Sequence, residues 1–309
     1  MLTETLADTQ PVKLNLTYYG GEDLYSDGDI ENEILSFVRD NPPSAYERYI
    51  SRRHDWAVLY HLSYLRQNIL AGMRISGSDT VLEIGSGMGA ITGGLCKLSA
   101  SVDCVELSKR RSEINAWRNR GCANLNIYVG NFGEIEPHLA QYDVVTLIGV
   151  FEYGRSYIHS ANPYDDFLRT ALSHLMPGGR LYIAIENRLG LKYFAGCRED
   201  HVGRNFEGIE GYTNTDGAVT FSREELERLF QGCGVTAYRF MYPYPDYKFP
   251  MQIFTDDRLP ETGDLSINLM NMDQSRYLFF DEAKAFDSFV GTKQFPLFSN
   301  SFLVEITKR

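Results

Sequence analysis

The chain has 309 residues, 43% hydrophobic and 23% charged, a balance that belongs to globular domains and excludes disordered or fibrous classes. Thirty Lys and Arg against 41 Asp and Glu leave a net charge of −11, and because phosphate backbones are gripped by basic surfaces, nucleic acid is excluded as a partner. No apolar run approaches the roughly 18 residues of a membrane span, and residues 1–20 carry Lys13 as their one base with no compact apolar block, so neither a membrane span nor a secretory signal is expected and a cytoplasmic location is.

In chain order, residues 29–40 place Ile30, Ile34, Leu35 and Val38 at helical spacing behind a Ser26-Asp27-Gly28 turn, which predicts an amphipathic helix that Pro42-Pro43 ends. Trp56, Leu59, Tyr60, Leu65, Ile69 and Leu70 extend the pattern over 46–75 as one or two helices leaning on the sheet that follows. His54 and His61 read there as packing or capping residues. The basic pairs and triplets Arg52-Arg53 and Lys109-Arg110-Arg111 read as solvated helix faces.

Thr80 to Ile84 is a short apolar run without helical period, as a buried parallel strand requires. It runs into Gly85-Ser86-Gly87-Met88-Gly89, and a helix starts near Ala90-Ile91-Thr92. Glycines here permit positive φ and let a ligand approach the backbone. Their alternate spacing departs from the G-x-G-x-x-G pyrophosphate fingerprint. Glu83 ahead of the turn would repel a diphosphate and would orient a cationic, amine-bearing ligand, of which S-adenosylmethionine is an example. Residues 101–106 form the next strand, ending at Glu106, which is placed to accept both ribose hydroxyls. A third strand over 125–130 ends at Asn131-Phe132, an amide and a ring for the adenine edge and face. Residues 143–149 form the fourth, closing on Gly149, and Pro177-Gly178-Gly179 turns into the fifth over 180–185.

Beyond it, residues 187–221 lack periodicity and hold many glycines, the character of a lid or binding segment. Ser222-Arg223-Glu224-Glu225 is a capping box opening a helix to about Phe230. A sixth strand covers 235–242, a second insertion spans about 243–298 with a helical patch over 281–290, and 301–306 closes the sheet as an antiparallel strand. The five cysteines, Cys96, Cys104, Cys122, Cys197 and Cys233, are odd in number with no C-x-x-C pair, which fits reduced thiols, and structural zinc is not expected.

Over residues 78–190 the chain resembles the class I S-adenosylmethionine-dependent methyltransferases. The resemblance implies an α/β, Rossmann-like, seven-stranded mixed sheet, with residues 1–77 as an N-terminal helical region and 78–309 as the methyltransferase domain whose two insertions form a substrate lid. It implies that Glu83, Gly85, Ser86, Gly87, Gly89, Glu106, Leu107, Asn131, Phe132 and Gly149 hold S-adenosylmethionine, with S-adenosylhomocysteine as product. Asn131 stands where the family more often has Asp, which replaces an acceptor-only group by an amide. The blocks 185–196, Glu199-Asp200-His201 and 242–247 are similar to a bacterial branch associated with glycosyltransferases of surface-polysaccharide assembly, which implies a saccharide acceptor and a glycosyltransferase partner and leaves a homodimer open.

Ligands of open α/β sheets lie beyond the carboxyl ends of the strands, so catalytic groups are expected after strands four and five. Glu152 and Glu186 are the carboxylates there, and His201, flanked by Glu199 and Asp200, is the candidate general base for a hydroxyl. Tyr153, Asn187, Tyr193, Tyr244 and Asp246 are the candidate acceptor contacts, the rings suiting a sugar. Glu152 with Glu186-Asn187 could imitate an oxygen-ligand magnesium site, but the spacing is not diagnostic and a metal is not expected. The expected activity is methyl transfer to a hydroxyl of a sugar or related small molecule. N-methylation of a small amine and a non-catalytic module supporting a glycosyltransferase are the alternatives. Nucleic-acid amino-methylation fits poorly, since Asn41-Pro42-Pro43 precedes the glycine turn and the place after the fourth strand reads Gly149-Val150-Phe151-Glu152. A nicotinamide dehydrogenase fits poorly as well, given Glu83 and the extra glycine.

Overall fold

Branched and aromatic runs become strands, and apolar residues three to four apart become helix faces. The computed structural model describes residues 3–4, 11–23, 25–158, 160–213, 215–269 and 275–309, so parts of the expected N-terminal region and of both insertions lie outside the described residues. Among the described residues ten strands form: β1 (Thr3–Glu4), β2 (Lys13–Tyr18), β3 (Thr80–Ile84), β4 (Ser101–Glu106), β5 (Leu125–Gly130), β6 (Tyr142–Ile148), β7 (Leu175–Glu186), β8 (Tyr238–Tyr244), β9 (Gln252–Thr255) and β10 (Ser301–Thr307). The chain divides into two compact units, one of residues 1–147 with 173–180, the other of 148–172 with 181–309.

In the first unit the strands lie in the order β1-β2-β5-β4-β3-β6. All neighbours from β2 to β6 run parallel, and β1 is antiparallel to β2. Helices Thr92–Leu98 and Lys109–Arg118 make the crossovers that parallel neighbours need. Parallel strands covered on both faces carry continuous apolar runs, and Val81, Leu82, Val102, Cys104, Ile127, Val129, Val144 and Val145 are all fully buried. The mixed α/β, Rossmann-like sheet is the expected architecture with more strands than the expected seven. β2 escaped sequence reading because only Leu14 of its six residues is fully buried, which leaves little alternation to see. It nevertheless packs closely: a Cβ on Gly130 would meet the Tyr18 carbonyl oxygen at 2.4 Å.

The pattern over 46–75 resolves into three pieces, helices Tyr46–Arg53 and Trp56–Leu62 and a 3-10 segment Tyr64–Gly72. Polar punctuation causes the breaks. His54 takes a left-handed φ of 49° at the first helix end, Asp55 caps the next by accepting from the Val58 amide at 3.1 Å, and Ser63 accepts from the Leu65 amide. With helix Ile30–Asp40, they bury Ile34, Val38, Tyr46, Val58 and Leu62 against Met88 of the glycine turn and Ile114. Arg111 is not a solvated residue of its helix face: it is buried and ion-paired with Asp27 and Glu31, each at 2.9 Å. His61 shares Asp27 at 2.8 Å.

In the second unit the order is β7-β10-β8-β9, with β10 and β9 both antiparallel to β8. The Pro177-Gly178-Gly179 stretch, expected as the turn that leads into the fifth strand, lies within β7 itself, which is 12 residues long. The capping box at Ser222 and Glu225 is present and opens helix Arg223–Gly232. Phe240, Tyr242, Phe254, Phe286, Phe295 and Phe302 form an aromatic core with ring centroids 5.4 to 6.1 Å apart.

Truncation of Leu62, 1% exposed within the helical cluster, should cost about 2 to 5 kcal/mol by leaving a cavity. Chemical denaturation of Leu62→Ala measures it, and a loss below about 0.5 kcal/mol would mean that the N-terminal helices do not share the first unit's core.

Candidate active site

The turn after β3 is held by groups from two other loops. Gly85, Gly87 and Gly89 all have positive φ, at 73°, 53° and 72°, which an L side chain adopts at a cost. The Gly85 and Ser86 amides donate to the Val105 carbonyl at 2.8 and 3.3 Å. Glu106 accepts the Gly87 amide at 2.8 Å on one oxygen and the Ser108 amide at 3.0 Å on the other. The expected ribose-binding carboxylate is thus also the brace of the turn, and each oxygen retains a lone pair for a hydroxyl. Glu83, 5% exposed, accepts from the Thr92 hydroxyl at 2.6 Å and from the Cys104 thiol at 3.3 Å. Burial pushes its carboxyl up to about 7, and the neighbouring Glu106 charge adds to the shift.

Asn115 and Asn119 complete this turn and were not legible beforehand. Asn115 Nδ2 donates to the Ser86 and Thr92 hydroxyls, each at 3.2 Å, and its Oδ1 accepts from Asn119 Nδ2 at 2.8 Å. A Cβ on Gly89 would stand 2.2 Å from Asn115 Oδ1. Buried amides on the inner face of a helix are the one sequence signal that could have drawn attention to them. Leu107 follows Glu106 and is half-buried. Asn131 caps the short helix Phe132–Ile135, accepting the Gly133 amide at 2.9 Å. Phe132 corrects expectation: it is 1% exposed with its ring edge-on to His174, so it fills the core instead of presenting an open face to a base.

The second unit holds a cluster of buried ionisable groups. Glu152 lies in the 3-10 turn Phe151–Tyr153, Glu186 ends β7, and His201 comes from the first insertion. One ligand atom from each lies within 4.8 Å of the others. His201 Nδ1 meets Glu199 Oε1 at 3.0 Å while Nε2 faces Glu152 Oε1 at 3.5 Å. Glu199 also accepts the His201 and Val202 amides at 2.7 and 2.6 Å and the Tyr212 hydroxyl at 3.0 Å. The expected orienting acid is in place. Burial alone would depress the imidazole, but its bonds to Glu152 and Glu199 and the charge of Glu186 outweigh that and hold it well above the ordinary range. Tyr153 stands edge-on to the ring with centroids 5.4 Å apart.

Two lysines missed by sequence reading extend the cluster. Lys248 Nζ donates to Glu186 Oε1 and reaches Asp200 Oδ1 at 2.9 Å. Lys192, 2% exposed, bonds Asp200 Oδ2 at 2.9 Å and Asp246 Oδ2 at 2.8 Å. Tyr193 donates to Asp200 Oδ2 at 2.6 Å. Five carboxylates thereby meet two ammonium groups and one imidazole. Within the cluster Glu152 Oε2 and Glu186 Oε2 are buried without a hydrogen-bond partner.

Several expected acceptor contacts are structural instead. Asn187 donates to the Leu297 and Ser299 carbonyls, each at 2.8 Å, and accepts the Leu189 amide at 3.0 Å, which uses both its N–H groups and its oxygen to staple the chain. Tyr244 is 2% exposed, its hydroxyl donating to the Ile267 carbonyl and accepting the Ile267 amide, both at 2.7 Å. Asp246 is committed to Lys192, and Tyr193 to Asp200. Gly149 takes φ 69°, and a Cβ there would lie 2.7 Å from the Tyr247 hydroxyl. The tyrosines beside the prolines therefore serve packing rather than a sugar platform.

Residues 82–181 match the model of a methyltransferase domain. The ubiquinone biosynthesis O-methyltransferase of Pelagibacter ubique (strain HTCC1062) is 24% identical over 133 residues, 41% of this chain and 52% of that protein. The match thus spans about half the length of that curated relative. Among solved structures, an S-adenosylmethionine-dependent methyltransferase from Archaeoglobus fulgidus aligns with a TM-score of 0.48 and 15% identity, covering 82% of this chain and 100% of that one. Phosphoethanolamine N-methyltransferase 1 of Haemonchus contortus aligns with a TM-score of 0.48 and 14% identity, covering 89% of this chain and 50% of that one. No described helix is long and apolar enough to cross a membrane.

Two outcomes are expected of the turn. A carboxyl raised from 4.5 to about 7 binds its proton more tightly in the folded chain, so its contribution to stability is full below about 4.5 and is lost as pH rises through about 7. The melting temperature of ligand-free protein should decline over that window, and Glu83→Gln should flatten the decline; an unchanged slope would assign it to another group. Gly89→Ala should destabilise by about 1 to 3 kcal/mol through strain and overpacking against Asn115, read by denaturant titration.

Proposed function

We propose that residues 82–181, which match the model of a methyltransferase domain, form the class I S-adenosylmethionine-dependent core of an enzyme that methylates a hydroxyl of a small polar acceptor, a sugar or related molecule. The observation that carries this reading is the pair of buried carboxylate oxygens, Glu152 Oε2 and Glu186 Oε2, that have no partner of their own. An unpaired buried acceptor costs about 1 to 3 kcal/mol, and hydroxyl donors on a bound acceptor would relieve it. The turn of Glu83, Gly85, Ser86, Gly87 and Gly89 would hold S-adenosylmethionine, with Leu107 beside it, Glu106 accepting from the ribose hydroxyls and Asn131 toward the adenine, and the cofactor would supply the activated methyl group.

In the transfer, the acceptor oxygen forms a C–O bond with the sulfonium methyl as the C–S bond breaks, and the electron pair stays on sulfur. The hydroxyl proton passes to the Glu152 carboxylate in place of His201, the base expected from the sequence, because both ring nitrogens of His201 face carboxylates that hold its proton. His201, fixed by Glu199, sets the direction of Glu152, and Tyr153 and Glu186 border the same cluster. Methyl transfer is otherwise a matter of alignment. The similarity to an O-methyltransferase over about half of its length supports oxygen over nitrogen as the acceptor atom. A glycosyltransferase partner and a cytoplasmic setting belong to the same proposal.

Incubation with methyl-labelled cofactor and panels of saccharides, nucleotide-linked sugars, phenols and amines tests the reading. Label in a base-stable ether is expected; turnover confined to amines, or cofactor binding without any turnover, would overturn it. Glu106→Ala should weaken S-adenosylhomocysteine binding by about 1 to 3 kcal/mol by leaving ribose hydroxyls unpaired, and an unchanged dissociation constant in calorimetry would remove Glu106 from the cofactor site.

A further inference from the structure

We infer that Glu152, Glu186 and His201 form a binding site for one divalent cation of the Mn2+ or Mg2+ class, which in turn holds acceptor oxygens; this use of the ion rests on the reading of the cluster as the acceptor end of the reaction. Sequence spacing did not lead to a metal, and the geometry of the folded second unit does. Three residues far apart in sequence bring one ligand atom each to within 4.8 Å of the others. Ligands about 2.1 Å from a common ion stand about 3.0 Å apart when adjacent and about 4.2 Å when opposite, so closure draws the three side chains together by up to about 1.8 Å.

Three independent features point the cluster toward an ion. Glu152 and Glu186 are 1% and 0% exposed, and each keeps one oxygen buried and without a partner. Lys248 bonds the other Glu186 oxygen, Oε1, while Oε2 has no hydrogen-bond partner and is the oxygen for coordination. The His201 ring is turned as a ligating imidazole is usually turned: Nδ1 is engaged by the Glu199 carboxylate at 3.0 Å, and Nε2 faces the cluster. Charge agrees with geometry. Five carboxylates against two lysines and one imidazole leave two negative charges in excess even when the imidazole is protonated, and a doubly charged ion offsets that excess.

Two carboxylates and one imidazole supply three of the six positions of a hard, octahedral ion. The remaining positions would take water or oxygen atoms of the acceptor. Two neighbouring oxygens, as in a vicinal diol or a hydroxy acid, chelate such an ion, and coordination makes a hydroxyl easier to deprotonate. The inference therefore narrows the acceptor class to molecules with an oxygen beside the methylated one.

Mn2+ alone is the probe, titrated into the full chain without cofactor and followed by electron paramagnetic resonance of free and bound ion. One bound equivalent is expected, and Glu152→Gln and Glu186→Gln should each raise the dissociation constant at least about tenfold. His201→Gln provides the same readout should a carboxylate variant fail to fold, with circular dichroism checking the fold. Absence of bound Mn2+ at millimolar concentration, or an affinity in Glu152→Gln, Glu186→Gln and His201→Gln equal to that of the unaltered chain, would overturn the site. Calorimetry with S-adenosylhomocysteine on the same samples separates the two ideas: cofactor binding without Mn2+ binding ends the metal site and leaves the methyltransferase reading, whereas Mn2+ binding without cofactor affinity does the reverse.

Discussion

One carboxylate ties two loops of the first unit together. Glu106, at the end of β4, takes the Gly87 amide on one oxygen and the Ser108 amide on the other. The loop after β3 and the start of the helix after β4 are thereby fixed to each other through a single buried acid. The neighbouring acid, Glu83, is bonded to Thr92 and Cys104 one layer deeper. Two carboxylates this close inside a core oppose each other, and burial raises both. A ligand that brings positive charge and hydroxyl donors relieves that opposition, which is why a glycine turn flanked by acids suits a sulfonium nucleoside better than a diphosphate.

The second unit solves a different problem with the same kind of group. Its insertions carry many polar residues inward, and these are satisfied in a chain from Asp246 through Lys192, Asp200 and Lys248 to Glu186, with Glu152, His201 and Glu199 as the other arm. Buried ion pairs add little net stability, because desolvation offsets their attraction. Their use here is geometric: each fixes a side chain that loop backbone alone would leave free.

Sequence reading reached the parts governed by local rules. The strands 80–84, 101–106 and 125–130, the glycine turn, the capping box at Ser222 and the antiparallel closing strand all announce themselves through apolar period or backbone chemistry. What it missed depends on partners distant in sequence. β2 carries too little alternation to be seen without β5 beside it. Arg111 looks solvated until Asp27 and Glu31 are brought to it. Asn187 and Tyr244 look like ligand contacts because amides and phenols often are, and only the folded chain reveals that their donors and acceptors are already spent on backbone groups. His201 with Glu199 was legible, being two residues apart; Lys192 and Lys248 gave no sign.

The position of β2 makes the amino-terminal segment more than a leader to the helices that follow. It lies between β1 and β5, and its Tyr18 carbonyl presses on Gly130, the residue just before Asn131. A shortened chain starting at Gly20 would strip a neighbour from β5, exposing Ile127 and Val129 along a row of unsatisfied amides and carbonyls, which invites edge-to-edge aggregation. It would also loosen the support under Asn131. Trimming the front of this protein for convenience would thus alter solubility and the loop that carries Asn131 together.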